Sequence, residues 1–195
     1  MTKNQDHLAL TLEEQKNLLA LARQTIGAEL KKNAVPDLAP FSAAKFQIPQ
    51  GVFVTLTEAE ELRGCIGNLT PQQPLIQAIQ NNARAAAFAD PRFPPVTHAE
   101  LPLLKIEISI LTKPQKLTFT SPQDLLAKLT WNQDGVILSK NGACATFLPQ
   151  VWESMPSKVE FLEHLALKAN LDPDAWQTAA YQTYQVKCFR EEEEK

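Results

Sequence analysis

The chain has 195 residues, 44% of them hydrophobic and 21% charged, which is typical of a globular protein with one sizeable core or a core and a smaller lobe. The formal net charge of −3 offers no broad basic surface, so nucleic-acid binding is disfavoured. No apolar run approaches the ~20 residues that span a bilayer, and the polar start of the chain lacks the apolar core of a signal peptide. Widely spaced cysteines favour reduced thiols in a cytoplasmic protein over a disulfide framework: Cys65, Cys144 and Cys188.

The start of the chain predicts a lead-in at residues 1–10 and then a helix. Thr11 and Glu14 have the spacing of a capping box, and the helix that they start is expected to reach about Lys32. The loop at residues 33–50 contains three prolines but also large apolar side chains. We therefore expect this loop to be ordered rather than a disordered linker.

Alternating apolar residues next predict a β-hairpin, with strands at about residues 51–57 and 62–68. Side chains two apart in a strand share a face. In the second strand, the residues expected to face the core are Leu62, Gly64 and Ile66, and those expected on the other face are Arg63, Cys65 and Gly67.

The segment after the hairpin predicts a helix and a stiff loop. Pro74 suits the first helical position, and the run Ala85-Ala86-Ala87 would let another backbone come close. Three prolines within residues 90–95 restrict the backbone at three points, which predicts a rigid loop. Thr97 and Glu100 have the spacing of a capping box on a one-turn helix.

The second half predicts helices that begin near Ser121 and Ser157, because each serine suits an N-cap. Asn141-Gly142 between two β runs predicts a tight hairpin. Residues 181–189 are predicted as one closing strand, and residues 191–195 as a solvated charged tail. Hairpins mixed with helices indicate an α+β protein with a mainly antiparallel sheet flanked by helices.

The second hairpin strand carries the first candidate site residues. A guanidinium at Arg63 beside the thiol of Cys65 would favour the thiolate, which acts as a nucleophile or metal ligand. Gly64 and Gly67 would let a ligand or a second backbone approach closely. The alternative is a structural cysteine, with Arg63 paired to a carboxylate.

Glu107 is the predicted partner of Arg63. It lies on the polar face of the strand at residues 104–111, whose other face carries alternating isoleucines. If this strand neighbours the Arg63 strand, the pair is either a structural ion pair or part of a site in which Glu107 acts as a base or a ligand.

The proline loop is a second candidate. Arg92 could bind an anion and Phe93 could pack on a planar group, with Asp90 held in a set direction. Alternatively, Asp90 pairs with Arg92 and Phe93 fills the core. Gln150 is a weaker ligand-binding candidate.

Several motifs together resemble the AMMECR family. They are Leu62-Arg63-Gly64-Cys65-Ile66-Gly67, Asp90-Pro91-Arg92-Phe93-Pro94-Pro95-Val96, Ile106-Glu107-Ile108-Ser109-Ile110-Leu111, Phe147-Leu148-Pro149-Gln150-Val151 and Glu160-Phe161-Leu162-Glu163-His164-Leu165. The resemblance covers about residues 10–190. It implies one domain at residues 11–190 with two subdomains, and a cleft between two lobes at which the Leu62–Gly67 motif lies. It also implies a pathway shared with Memo-type and radical-SAM proteins, as in the prokaryotic AmmeMemoRadiSam system.

The leading hypothesis is a cytoplasmic domain that binds a small ligand or a partner segment at this cleft. One alternative is an enzyme that uses Cys65 as nucleophile, Arg63 to stabilise charge, and Glu107 or His164 as proton carrier. Another is a scaffold for Memo-type and radical-SAM partners. The histidines show no metal-binding spacing, so the sequence predicts no metal site and identifies no cofactor.

Overall fold

The structure is a computed structural model that describes residues 9–34 and 36–191. The chain divides into two units, each with its own four-stranded sheet. The first unit comprises Met1–Leu111 and Lys187–Lys195, and the second comprises Thr112–Val186. Each unit is α+β with antiparallel strand pairs, so the predicted fold class is confirmed, with two sheets in place of one.

The first helix of this unit begins at its predicted cap, and the helix predicted to have Pro74 at its first position begins one residue later. In α1 (Leu12–Lys31), Thr11 and Glu14 form the predicted capping box, and Lys32 ends the helix in a left-handed conformation. The loop that follows contains a 3₁₀ turn (Ala39–Phe41) and the short helix α2 (Ala44–Gln47). Pro74 precedes α3 (Leu75–Phe88) and serves as its N-cap.

The first sheet is built on the predicted hairpin, β1 (Gly51–Glu58) and β2 (Glu61–Asn68). β3 (Leu104–Leu111) pairs with β1, and β8 (Val186–Arg190) completes the order β2-β1-β3-β8. One face packs against α1 and α3 and forms the core of the unit. Its fully buried residues include Val52, Val54, Leu56, Ile106 and Ile108.

The opposite face, which we call the outer face, carries polar side chains that lie opposite one another on neighbouring strands. Thr55 of β1 lies opposite Cys65 of β2 on one side and Glu107 of β3 on the other. Because β1 separates β2 from β3, Cys65 and Glu107 are not on neighbouring strands.

The second unit contains β4 (Gln115–Leu117), β5 (Gly135–Lys140), β6 (Ala143–Phe147) and β7 (Ala180–Tyr184), in the order β4-β7-β5-β6. Its helices are α4 (Pro122–Lys128) and α5 (Lys158–Lys168), with 3₁₀ turns at Pro149–Ser154 and Pro173–Gln177. The Asn141-Gly142 turn has positive φ at both residues, as its hairpin requires. A stacked pair, Trp152 and Phe161 with ring centroids 3.5 Å apart, fills the core.

The prediction of one closing strand at residues 181–189 is wrong. The structure divides it into β7 in the second sheet and β8 in the first, with Gln185 between them. The Gln185 amide nitrogen donates to Thr112 Oγ1, and its side chain donates to Asp134 Oδ1. These bonds hold the chain at the point where it changes sheet.

Two residues near the chain ends contact the first unit, although the sequence predicted a lead-in and a solvated tail there. Of the predicted lead-in, residues 1–8 lie outside the described residues, and Leu10 is buried in the first core. Of the predicted tail, residues 192–195 lie outside them, and Glu191 forms an ion pair with Arg23. Within the described chain, no helix has the length and apolar character that crossing a membrane requires.

Candidate functional site

A β-bulge in β2 sets the direction of the predicted site residues. Leu56 lies opposite Gly64, but its neighbour Thr57 lies opposite Leu62, so Arg63 is the extra residue on β2. The prediction that Leu62 faces the core is therefore wrong, and its side chain is 42% exposed. Strict alternation fails here because the bulge moves the first residues of β2 out of phase.

Other residues of the protein occupy the space beside both glycines of the motif, where a side chain would otherwise lie. A Cβ on Gly64 would lie 2.2 Å from the Ala86 carbonyl oxygen, so Gly64 is where α3 packs against β2. A Cβ on Gly67 would lie 2.3 Å from Cγ of Phe53, whose ring covers this position. Of the two neighbours predicted for these glycines, a second backbone is the one found at Gly64, where the Ala85-Ala86-Ala87 run lets β2 approach α3, while the Phe53 ring packs at Gly67.

Residues of the proline loop bind the backbone of Cys65. β2 is an edge strand, and the Cys65 amide nitrogen donates to Asp90 Oδ2 at 2.9 Å. The Cys65 carbonyl oxygen accepts from Arg92 Nη2 at 3.2 Å. The loop thus supplies the partners that another strand would supply at this edge.

Asp90 also fixes Arg92. Its carboxylate accepts from Arg92 Nε at 3.0 Å and from Nη2 at 2.7 Å, and its side chain is buried while that of Arg92 is 52% exposed. The Arg92 bonds, followed by the Cys65 amide, hold the pKa of Asp90 well below its usual range. Asp90 is therefore an anchored anion and not a proton acceptor near neutral pH.

Arg63 pairs with Glu100, not with Glu107 as predicted. Arg63 Nε donates to Glu100 Oε1 at 2.8 Å. This bond, together with hydrogen bonds from Thr97, lowers the pKa of Glu100 to about 2. Thr97 and Glu100 do interact, but they form a turn and no helix.

Glu107, on β3, instead interacts with Cys188 of the neighbouring strand β8. Desolvation, and then the charge of Glu107, raise the pKa of the Cys188 thiol to about 11, although the residue itself is exposed. The assignment of Glu107 to the Arg63 site is thus wrong, because β3 neighbours β1 and β8 but not β2.

Phe93 lies beside both arginines. Its ring centroid is 5.4 Å from the guanidinium carbon of Arg92 and 6.0 Å from that of Arg63. Phe93 is half-buried, so it does not simply fill the core. We call the residues brought together here the β2-edge cluster: Arg63, Cys65, Asp90, Arg92, Phe93 and Glu100.

The cluster offers binding groups more clearly than catalytic ones. Cys65 Sγ lies 3.0 Å from Thr55 Oγ1, and a threonine hydroxyl does not act as a base at neutral pH. Arg63 Nη1 is buried without a hydrogen-bond partner among the described residues. Within these residues, no group of three or more His, Cys, Asp and Glu side chains could hold a metal.

Two other predicted residues lie in the second unit. Gln150 is exposed in the 3₁₀ turn Pro149–Ser154, and His164 is exposed on α5. The β2-edge cluster lies wholly in the first unit.

A protein-family model described as AMMECR1 matches residues 19–189. The chain belongs to the AMMECR1 family. A protein of Methanosarcina acetivorans is 41% identical over 188 residues, covering 92% of this chain and 90% of its own. A protein of Methanopyrus kandleri is 38% identical over 190 residues, covering 94% and 91%. The crystal structure of an uncharacterized protein from Pyrococcus horikoshii has 34% identity and a TM-score of 0.78, with 90% of each chain covered.

The AMMECR1 match includes both units, so the family resemblance drawn from the motifs is confirmed.

Sequence reasoning missed Glu100 and Thr55 as contacts of the cluster. The capping-box spacing accounted for only one oxygen of Glu100, the one that accepts from Thr97, while the other binds Arg63. Only the strand register could have identified Thr55.

Proposed function

We propose that this AMMECR1-family protein is a ligand-binding domain, and that the β2-edge cluster is its site. The ligand class that fits is a small planar molecule with a carboxylate or carbonyl oxygen. One observation carries the proposal: residues from the β2 motif and from the proline loop meet at the Cys65 peptide, with both arginines fixed beside one aromatic ring.

The hydrogen bonds of Arg92 leave it able to bind a further oxygen. Asp90 accepts hydrogen bonds from Nε and Nη2 of Arg92, so Nη1 of the half-exposed Arg92 side chain can donate to a ligand. A guanidinium held in place beforehand loses little conformational freedom when a ligand arrives. Phe93 adds a ring face on which a planar group can stack.

The contacts of Cys65 support binding over nucleophilic catalysis. An activated thiol needs a base or a cation that favours the thiolate. Here the sulfur contacts the Thr55 hydroxyl, while the charges of Arg63 and Arg92 are each balanced by a carboxylate.

The family resemblance adds a cellular setting to the proposal: a cytoplasmic pathway shared with Memo-type and radical-SAM proteins. A native pull-down with the tagged chain tests this part on its own. Recovery of either protein class would support it, and recovery of neither would count against it.

The binding proposal is tested by calorimetry with three probes. Nicotinate is planar and carries a carboxylate, nicotinamide is planar and neutral, and cyclohexanecarboxylate is charged but not planar. We expect nicotinate to bind most tightly, because it uses both Arg92 and Phe93.

Matched variants locate the binding. Arg92→Gln and Phe93→Leu should each weaken nicotinate binding by about tenfold, the order of one charged or stacking contact. Arg84→Gln is the control, because Arg84 pairs with Glu29 outside the cluster. Equal affinity in all three variants, with unchanged folding, would show that the cluster is structural.

A further inference from the structure

A groove separate from the β2-edge cluster lies in the first unit. It has a volume of about 680 Å³ and runs between the N-terminal half of α1 and the segments at residues 102–105 and 189–191. None of the cluster residues lines it. Its volume is within the range of about 300–1,000 Å³ that is usual for small-molecule sites.

The walls of the groove carry unusually exposed leucines. Leu12 is 76% exposed and Leu103 is 61% exposed, the two highest values among the large hydrophobic side chains of the described residues. The floor continues this apolar surface with Leu19, Leu104 and Phe189, which are buried. Leucines this exposed gain from any apolar ligand that displaces water between them.

The charges of the groove oppose those of the whole chain. Its charged lining residues are Glu191 and four cations: Lys16, Arg23, Lys105 and Arg190. The complete chain has a net charge of −3, so this is a local positive surface on an acidic protein.

Two of these cations already bind carboxylates of the same chain. Arg23 holds Glu191 through Nε at 2.8 Å and Nη2 at 2.6 Å, and Lys105 contacts Glu60 at 2.7 Å. The other two cations, Lys16 and Arg190, are exposed. They are therefore the residues best placed to receive an anion from outside.

We propose that this groove binds a free single-chain amphiphile with an anionic head group. The acyl chain lies between Leu12 and Leu103 over the apolar floor, and the head group contacts Lys16 and Arg190. An apolar groove alone would accept either charge, whereas the two exposed cations beside it, Lys16 and Arg190, favour an anion.

The test is calorimetry on the full chain with octanoate, decanoate and dodecanoate below their micelle concentrations. Complete burial of one methylene corresponds to about fourfold in affinity. Because the groove is open on one side, we expect about twofold for each added methylene. Dodecyltrimethylammonium, with the same tail and the opposite charge, should bind at least about tenfold more weakly than dodecanoate.

Variants then assign the binding to the groove. Lys16→Glu and Leu103→Asp should each weaken dodecanoate binding by about tenfold. Lys113→Glu and Leu167→Asp are the matched controls, because both residues are exposed in the second unit. They should leave the affinity unchanged.

Three results would overturn the proposal: equal binding of the cationic amphiphile, equal loss of affinity in the control variants, and binding to phosphatidylglycerol vesicles without binding of free dodecanoate. None of these measurements depends on nicotinate binding at the β2-edge cluster, so the two proposals can fail independently.

Discussion

Gly64→Ala should strongly destabilise the first unit, because the new methyl group would meet a helix backbone. Its Cβ would lie 2.2 Å from the Ala86 carbonyl oxygen and 3.1 Å from the carbonyl carbon. To bring the contact with the oxygen to even 3.0 Å, β2 and α3 would have to separate by about 0.8 Å. Overpacking costs roughly 1–3 kcal/mol, and the upper end applies here because neither backbone has another rotamer.

Urea unfolding followed by circular dichroism measures this loss directly. A loss of about 3 kcal/mol corresponds to a fall in Tm of roughly 6–12 °C for a chain of this size. Gly27→Ala is the matched control, because its Cβ would meet only Leu101 Cδ2, at an ordinary 3.4 Å. As Gly27 lies within α1, that change should stabilise by about 0.5–1 kcal/mol. If Gly64→Ala were as stable as the unaltered chain, the close approach of α3 to β2 would be refuted.

Four further results are expected. In Arg63→Gln, the pKa of Glu100 should rise from about 2 toward its usual value, as NMR titration would show, because the strongest hydrogen bond that lowers it is lost. Since folding lowers the pKa of Glu100, the Arg63–Glu100 pair stabilises the fold above about pH 4, and this contribution is lost as the pH falls toward 2. The unfolding free energies of Arg63→Gln and of the unaltered chain should therefore converge over that range. Parallel curves of unfolding free energy against pH would contradict the pairing. Iodoacetamide at about pH 8 should alkylate Cys188 more slowly than a free thiol, whose pKa is about 8.5, because the pKa of Cys188 is about 11. Glu107→Gln should speed that reaction, and an unchanged rate, read by mass spectrometry, would show that Glu107 does not act on Cys188.

Local patterns predicted much of the fold because the causes are local. The Thr11 capping box, the alternation that forms β1 and β3, and the Asn141-Gly142 turn each depend on residues within one element. The closing strand was different. Its residues gave no local sign of a break, and Gln185, which lies between the two strands, is bound by residues far along the chain.

The sequence predicted most residues of the candidate site, but it did not predict which of them form ion pairs with Arg63. The proline loop and the β2 motif do meet, and Asp90 does pair with Arg92. Glu107 could not be placed, because strand order depends on tertiary packing that periodicity does not encode. The β-bulge at Arg63 likewise has no local signal, and it is this bulge that changes the direction of Leu62.

The contacts of the segment around Cys65 are therefore better explained by packing and edge protection than by an activated thiol. Gly64 admits α3, and the Cys65 peptide is bound by Asp90 and Arg92. What remains accessible is the half-exposed Arg92 side chain beside the Phe93 ring. The proposed ligand site is this surface.

The most direct test of the account is the ¹⁵N–¹H NMR spectrum of the chain titrated with nicotinate. The Cys65 amide is the decisive probe, because its proton is bound by Asp90 within the cluster. If nicotinate binds at the β2-edge cluster, saturable shifts are expected at Cys65 and at the Arg92 side chain, and these shifts should be lost in Phe93→Leu. Shifts confined to other parts of the chain, or the same shifts in Phe93→Leu, would contradict it.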